Sequence, residues 1–509
     1  MKQLCTRMTM ALILALFTGT AKAKAAWTHD IGAVSLFAEL GASKPTGTNI
    51  TVSQIEGSYL GNYYPDIYTN EFSGKTFVDK TAMATGSSLH ATMVGKYFYG
   101  RSSSISPNIN HVDCYWEEDW RDAGFLSGGD GGGPAVETNR IQNHSWIGNS
   151  GSDSNYVRRL DYAIDRDGFT CVAGLNNTND AIPGLLGHTY NGIVVGRTDG
   201  SHSAGPTLFD EAGRVKPDIV APFTFTSYAT PAVGSCAALL METADKHALT
   251  SATMPQTIKA LLLAGATKTE FGTNWNRTAS RPLDEHYGAG EINIYNSWHI
   301  LTNGEQNASA TSLVNHIGWD YSELPAAGTN WYFFDSPDSH APSRFSVVLT
   351  WHRKISDPPG GGFNPQAFLA NLNLYLYEAD GFATNDLVDM STSQVDNVEH
   401  IFQGALPPGR YALKVTSDAE AEYGLAWHKA PAAIPEFTET SYHSNTGFVI
   451  KVSTSPNVFY GIQATTNLMD GSSWTNLATQ IPSTSLWTFV DAKATNLIYR
   501  YYKAFVDPD

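Results

Sequence analysis

The apolar positions change rhythm twice along the chain. Between Trp27 and about Ile300, short and nearly continuous apolar runs (Ile50–Ile55, Ile141–Trp146, Phe169–Ala173, Ile193–Gly196) alternate with stretches of helical spacing (His90–Phe98, Val157–Asp165, Ser227–Ala244). A continuous run is what a strand buried on both faces requires, because neither side of it meets water. Strands of that kind alternating with helices predict an α/β fold, a doubly wound and mostly parallel sheet. From about Asn307 the runs are strand-like: Phe345–Trp351, Leu372–Tyr377 and Tyr411–Val415. Leu372, Leu374 and Leu376 fall on one face, and the turn-forming segments Asp357–Gly360 and Pro407–Gly409 separate the runs. This predicts an antiparallel, jelly-roll-like β-sandwich. The stretch from Ala430 to Pro435 reads as a linker. Beyond it, Gly447–Val452, Phe459–Ala464, Trp487–Val490 and Ile498–Phe505 predict a small immunoglobulin-like β domain.

The first residues follow another pattern. Lys2 and Arg7 precede an apolar run from Met8 to Phe17, and small residues follow up to Ala25, as in an export signal. The run is too short to span a bilayer, and no later segment is long and apolar enough to do so. The expected division is 1–25 signal peptide, 26–305 α/β domain, 306–430 β-sandwich and 436–509 small β domain. The expected location is outside the cytoplasm, extracellular or periplasmic.

A formal net charge of −17 argues against a nucleic-acid partner, which needs clustered Lys and Arg. Cys5 lies in the signal, leaving Cys114, Cys171 and Cys236. One disulfide with a free thiol and three buried thiols both fit this odd number. No Cys-x-x-Cys or His-Glu-x-x-His occurs, so no zinc site is expected. Cys114–Trp120, aromatic and acidic, reads as a helix packed on the sheet, and Gly128–Gly133 as a flexible loop near a cleft.

Four segments carry candidate chemistry. Thr226-Ser227-Tyr228-Ala229-Thr230-Pro231 leads into a small-residue helix with Pro231 expected in its first turn, so that Ser227 lies at the positive end of the helix dipole. Ser87-Ser88-Leu89-His90 opens a helix with a histidine, whose pKa suits it to take a proton from a serine hydroxyl. A buried strand ends at Glu56-Gly57, where a carboxylate can hold an imidazole. A further strand runs into Gly174-Leu175-Asn176, whose amide can meet an oxyanion. Taken singly, each has a plainer reading: a helix-capping serine, a capping or half-buried histidine, a solvated glutamate, a turn asparagine.

Taken in order, these segments resemble the subtilisin-like serine peptidases, the subtilases, over about residues 30–300. The resemblance implies Ser227 as nucleophile, His90 as base, Glu56 in the place of the family's usual Asp, and Asn176 as oxyanion donor. Ser145, Trp146 and Gly148, in Asn143–Gly148, fall on the strand that pairs with substrate. Phe225 stands where the family has Gly, and Ala91 and Met93 replace its Gly and His after the base. The short interval before Glu56 leaves no room for a folding propeptide. The expected activity is hydrolysis of peptide bonds in protein or peptide substrates. No cofactor is required, and calcium, which subtilases often bind, has no locatable ligand spacing. The sedolisins also pair Ser with Glu, but their base is Glu and their oxyanion partner Asp, which His90 and Asn176 do not match. Surface or polymer attachment is expected to run through the C-terminal β domains. Two rivals come from another class: an inactive subtilase fold that only binds, and an adhesion or carbohydrate-binding protein dominated by those β domains.

Overall fold

The computed structural model describes residues 27–506 apart from 59–60, 211–212, 337–342, 432–434, 436, 444–445, 455–459, 468–473, 481–485 and 497–499. The signal expected at residues 1–25 lies outside the described residues.

Seven parallel strands form the first sheet: β1 (Thr51–Glu56), β2 (Thr76–Asp79), β3 (His111–Trp116), β4 (Ile141–His144), β5 (Thr170–Gly174), β6 (Ile193–Arg197) and β7 (Ile219–Ala221). Their spatial order is β2-β3-β1-β4-β5-β6-β7, with parallel register at every junction. The order reverses direction between β1 and β4, which opens a crevice at the carboxyl ends of those strands, where ligands of open α/β sheets bind.

Helices α1 (Leu89–Tyr99), α2 (Asp153–Asp167) and α3 (Thr226–Lys246) pack on this sheet. Most of α3 is buried and built largely of small residues, so neighbouring elements approach it closely. A Cβ at Gly234 would sit 2.9 Å from the Phe98 ring of α1. That contact draws together the two helices whose first turns carry His90 and Ser227. The segment Cys114–Trp120, expected to be helical, is divided. Its first residues end strand β3, and the helix begins at Glu117. Asp113 sits in that strand accepting the Asn139 amide at 3.0 Å, and so masked the strand's apolar pattern.

Two antiparallel sheets follow, built from β8 (Gly318–Leu324), β9 (Thr329–Ser336), β10 (Ser343–Trp351), β11 (Leu372–Asp380), β12 (Ala383–Ser391), β13 (Val398–Leu406), β14 (Gly409–Ser417) and β15 (Ala421–Pro431). One sheet contains β9-β14-β11-β12, with Leu313–Val314 added at its edge, and the other is β8-β15-β10-β13. Leu372, Leu374 and Leu376 all point into the core between the sheets. Ala430 and Pro431, expected in a linker, end strand β15. The last region holds two three-stranded sheets.

The sandwich shares its core with the α/β domain. Trp319, Val348, Val398 and Ala426 belong to the same buried cluster as α3 and as α4 (Pro255–Gly265). The Trp319 indole donates to Leu301 O at 2.9 Å, and Thr350 Oγ1 to Gln256 O at 2.6 Å. Arg353 pairs with Asp161 at 2.6 Å and stacks 4.0 Å from the Tyr190 ring. The glycine-rich segment 128–133 is pinned rather than free. Gly131 O accepts from Phe363 N at 2.9 Å, and Gly132 O from Arg159 at 2.5 Å. Burial of each large apolar side chain contributes about 1.5–3 kcal/mol, against a net domain stability of roughly 5–15 kcal/mol. A chain ending at residue 305 is therefore expected to lose cooperative folding, whereas one ending at 431 keeps it. Thermal unfolding of the two, followed by near-UV circular dichroism, checks this. Equal midpoints would show that the sandwich is dispensable.

Candidate active site

Strand β1 ends at Glu56, whose residue is only 1% exposed. A buried carboxylate needs donors, and two reach it: Gln54 Nε2 at 2.9 Å on Oε1, and His90 Nδ1 at 2.7 Å on Oε2. Gln54 is itself fixed, donating from Nε2 to Ala91 O at 2.9 Å and accepting at Oε1 from the Tyr99 hydroxyl. The carboxylate is thus held from both sides. The extra methylene of Glu over Asp is accommodated with the imidazole in hydrogen-bond contact.

His90 is the second residue of α1. The helix cap is Ser88, whose Oγ accepts from Ala91 N at 3.2 Å, so His90 is free of the capping role. Burial pushes its pKa down, but the hydrogen bond and charge of Glu56 outweigh this and leave it above the usual imidazole value. Burial raises the Glu56 pKa, against the opposing pull of His90 and Gln54. The Nδ1–H directed at Glu56 leaves Nε2 unprotonated when the ring is neutral, the tautomer a base requires. The other nearby histidine, His144, is buried and pushed down to about 3 by desolvation. Its Nδ1 accepts from the Trp146 indole at 3.2 Å, so it buttresses the crevice wall.

Ser227 is the second residue of α3, and the cap position is Phe225. The helix-cap reading of Ser227 is thereby excluded. Pro231 lies six residues into the helix rather than in its first turn. Proline has no N–H to offer the carbonyl four residues back, and that carbonyl is Ser227 O. Ser145 Oγ, just beyond β4, takes the vacancy and donates to Ser227 O at 3.1 Å. The proline thus frees the carbonyl through which the turn of Ser227 is tied to the Asn143–Gly148 segment. Among the described residues, no hydrogen bond joins the Ser227 hydroxyl to His90. Such contacts are commonly long without substrate and tighten in the complex.

Beyond β5 the two adjacent asparagines behave differently. Asn176 Nδ2 donates to Thr178 Oγ1 at 2.7 Å, and its Oδ1 accepts from Asn177 N at 2.8 Å. Asn177 Oδ1 accepts from Thr226 N at 2.8 Å and from Thr226 Oγ1 at 3.2 Å. A backbone N–H can only donate, so the atom facing it must be the oxygen. The Asn177 amide nitrogen is therefore oriented by the residue directly before Ser227. Asn176, Asn177, Thr226 and Ser227 line one cavity of about 70 Å³ with Ser145, Trp146, Ile147, Gly174 and Leu175. Of the residues expected on the substrate strand, Ser145 and Trp146 line it. Gly148 does not, its α-carbon facing Leu185 and the Trp146 ring.

Asp79 accepts from the Tyr63 hydroxyl and the Ala82 and Ala84 N–H groups, so its oxygens are taken up by a turn. Cys114, Cys171 and Cys236 are free and buried, with burial raising each thiol pKa. Among the described residues no group of His, Cys, Asp and Glu could hold a metal ion. No described helix is long and apolar enough to cross a membrane.

Residues 134–290 match the family model described as the subtilase family, Peptidase_S8, and the resemblance to subtilases holds over that segment. It spans Ser145–Gly148, Asn176, Asn177 and Ser227, while Glu56 and His90 precede it. The match supports a serine peptidase. Similar solved structures include a serine-to-alanine mutant of the protease domain of PatA, 17% identical, covering 52% of this chain and 99% of that one with a TM-score of 0.35. Another is the prenylagaramide maturation protease PagA, 18% identical, covering 49% and 93% with a TM-score of 0.35. No curated protein matches the chain.

Proposed function

We propose that this chain is an exported serine endopeptidase that hydrolyses peptide bonds through Ser227, His90 and Glu56. The observation that carries the proposal is the 2.7 Å contact of Glu56 with His90 Nδ1, which leaves Nε2 as the base. Ser227 Oγ attacks the peptide carbonyl carbon while its proton passes to His90 Nε2. The displaced electron pair rests on the former carbonyl oxygen, and the Ser227 N–H and the Asn177 amide receive it. Collapse of this intermediate breaks the C–N bond, and His90 gives its proton to the leaving amine. Water then repeats the sequence on the acyl-enzyme. Ser145 and Trp146 border the acyl half of the substrate. No cofactor enters these steps. The C-terminal β region is assigned to surface or polymer attachment and the export signal to residues 1–25, both on sequence grounds.

Purified full-length protein is expected to cleave a fluorescein-labelled unfolded protein such as casein, and His90→Ala to lose this. A folded wild type that cleaves nothing would favour the inactive, binding form of the fold.

The preference for Asn177 over Asn176 as oxyanion donor gives a separate expectation. Loss of one such donor costs about 10²–10³ in turnover. Asn177→Ala should show that loss in kcat, and Asn176→Ala a much smaller one. The reverse result would return the role to Asn176.

A further inference from the structure

Near Ser227 in sequence, and not among the residues lining the cavity, stand two aromatic side chains, Phe225 and Tyr228. Phe225, at the cap of α3, is 49% exposed although apolar, and Leu89, beside His90, is 70% exposed. Phe225 is not loose. Its ring meets Tyr228 edge-on at 5.6 Å, and Tyr228 lies 5.2 Å from Tyr97 on α1, the helix that carries His90. Tyr97 is braced in turn by Phe223 at 5.1 Å and Trp27 at 6.2 Å. Edge-on pairs of this kind fix ring positions as well as burying area. The Tyr228 hydroxyl is raised chiefly by burial and secondly by the charge of Glu56, which agrees with its place on the dyad's side. None of Phe225, Tyr228 and Leu89 lines the cavity that holds Asn177 and Trp146.

The chemistry assigns the two sides. The acyl oxygen must lie toward the Ser227 N–H and Asn177, and the amine that takes the His90 proton must lie toward His90. The braced aromatic edge therefore faces the leaving half of the substrate. Resting on the peptidase reading of Ser227, we infer that Phe225, backed by Tyr228 and flanked by Leu89, selects peptides carrying a large apolar residue immediately after the scissile bond. A glycine at position 225 would leave that side open to any residue.

The test uses full-length protein and quenched peptides that share one acyl half and differ only in the residue after the bond. Apolar contact of this size is worth roughly tenfold, so kcat/KM for Leu or Phe should exceed that for Gly or Asp by about that factor. Phe225→Ala should bring the ratio close to one, and Phe225→Leu should keep most of it. A methyl ester of the same acyl half carries no residue at this place and reports the chemistry alone. Wild type that turns over the ester yet cleaves all the peptides equally would overturn the inference and leave the peptidase reading standing. Wild type that turns over neither would overturn both. A preference that survives unchanged in Phe225→Ala would also overturn it.

Discussion

Ser227→Ala is expected to lower peptide turnover by about 10⁶-fold, the loss seen when a serine triad is deprived of its nucleophile, with little change in stability. The two halves of this expectation have separate causes. In the proposed mechanism the Ser227 hydroxyl is the attacking group, so its removal leaves the reaction without a nucleophile. The same hydroxyl makes no hydrogen bond among the described residues, and the fold uses only the backbone carbonyl of Ser227, through Ser145. Alanine keeps that carbonyl and is the better helix former. Thermal midpoint and kcat, measured on one preparation, check the pair. Because the triad acts as a unit, the double variant Ser227→Ala, His90→Ala should be no slower than either single one. A double variant far slower than both would mean that the two residues act independently.

Glu56→Gln is expected to cost about 10⁴-fold, the size of a carboxylate-to-amide change in a triad, for a reason specific to this chain. Gln54 Nε2 donates to Glu56 Oε1, and Gln54 cannot turn over because Ala91 O and the Tyr99 hydroxyl hold both ends of its amide. An amide at position 56 must therefore face Gln54 with its oxygen and His90 with its NH₂. His90 Nδ1 then has to accept, its proton moves to Nε2, and the base is lost. The pH profile should change as well. In wild type Glu56 holds the His90 pKa above its usual value near 6.5. Activity requires the neutral ring, so kcat/KM should rise with pH through an apparent pKa above that value. Without the carboxylate, burial alone acts on the ring, and the residual acid limb should move to lower pH. An unchanged profile and rate would remove Glu56 from the mechanism.

The strands that sequence reading recovered are those buried on both faces, such as Thr170–Gly174, where every position had to be apolar or small. Two of those it left out have physical reasons. Thr76–Asp79 is an edge strand with alternately exposed residues, and His111–Trp116 carries the buried Asp113. The pairing of Glu56 with His90 was legible because a carboxylate and an imidazole each stood at the end of an element. Which of Asn176 and Asn177 meets the Thr226 N–H across a turn was not legible. The position of Pro231 within α3 was equally hidden, and with it the bond from Ser145 to the freed carbonyl. The texture of the sequence changes near residue 305. Texture reports the type of element, however, and not which faces are covered, so the core shared by Trp319 and Val348 with α3 could not be read from it.

A biotinylated fluorophosphonate followed by peptide mass mapping tests the central claim most directly. This account predicts one adduct per folded molecule, located on Ser227 and abolished by His90→Ala. A folded protein that takes up no reagent, or takes it up on another residue, would contradict the account.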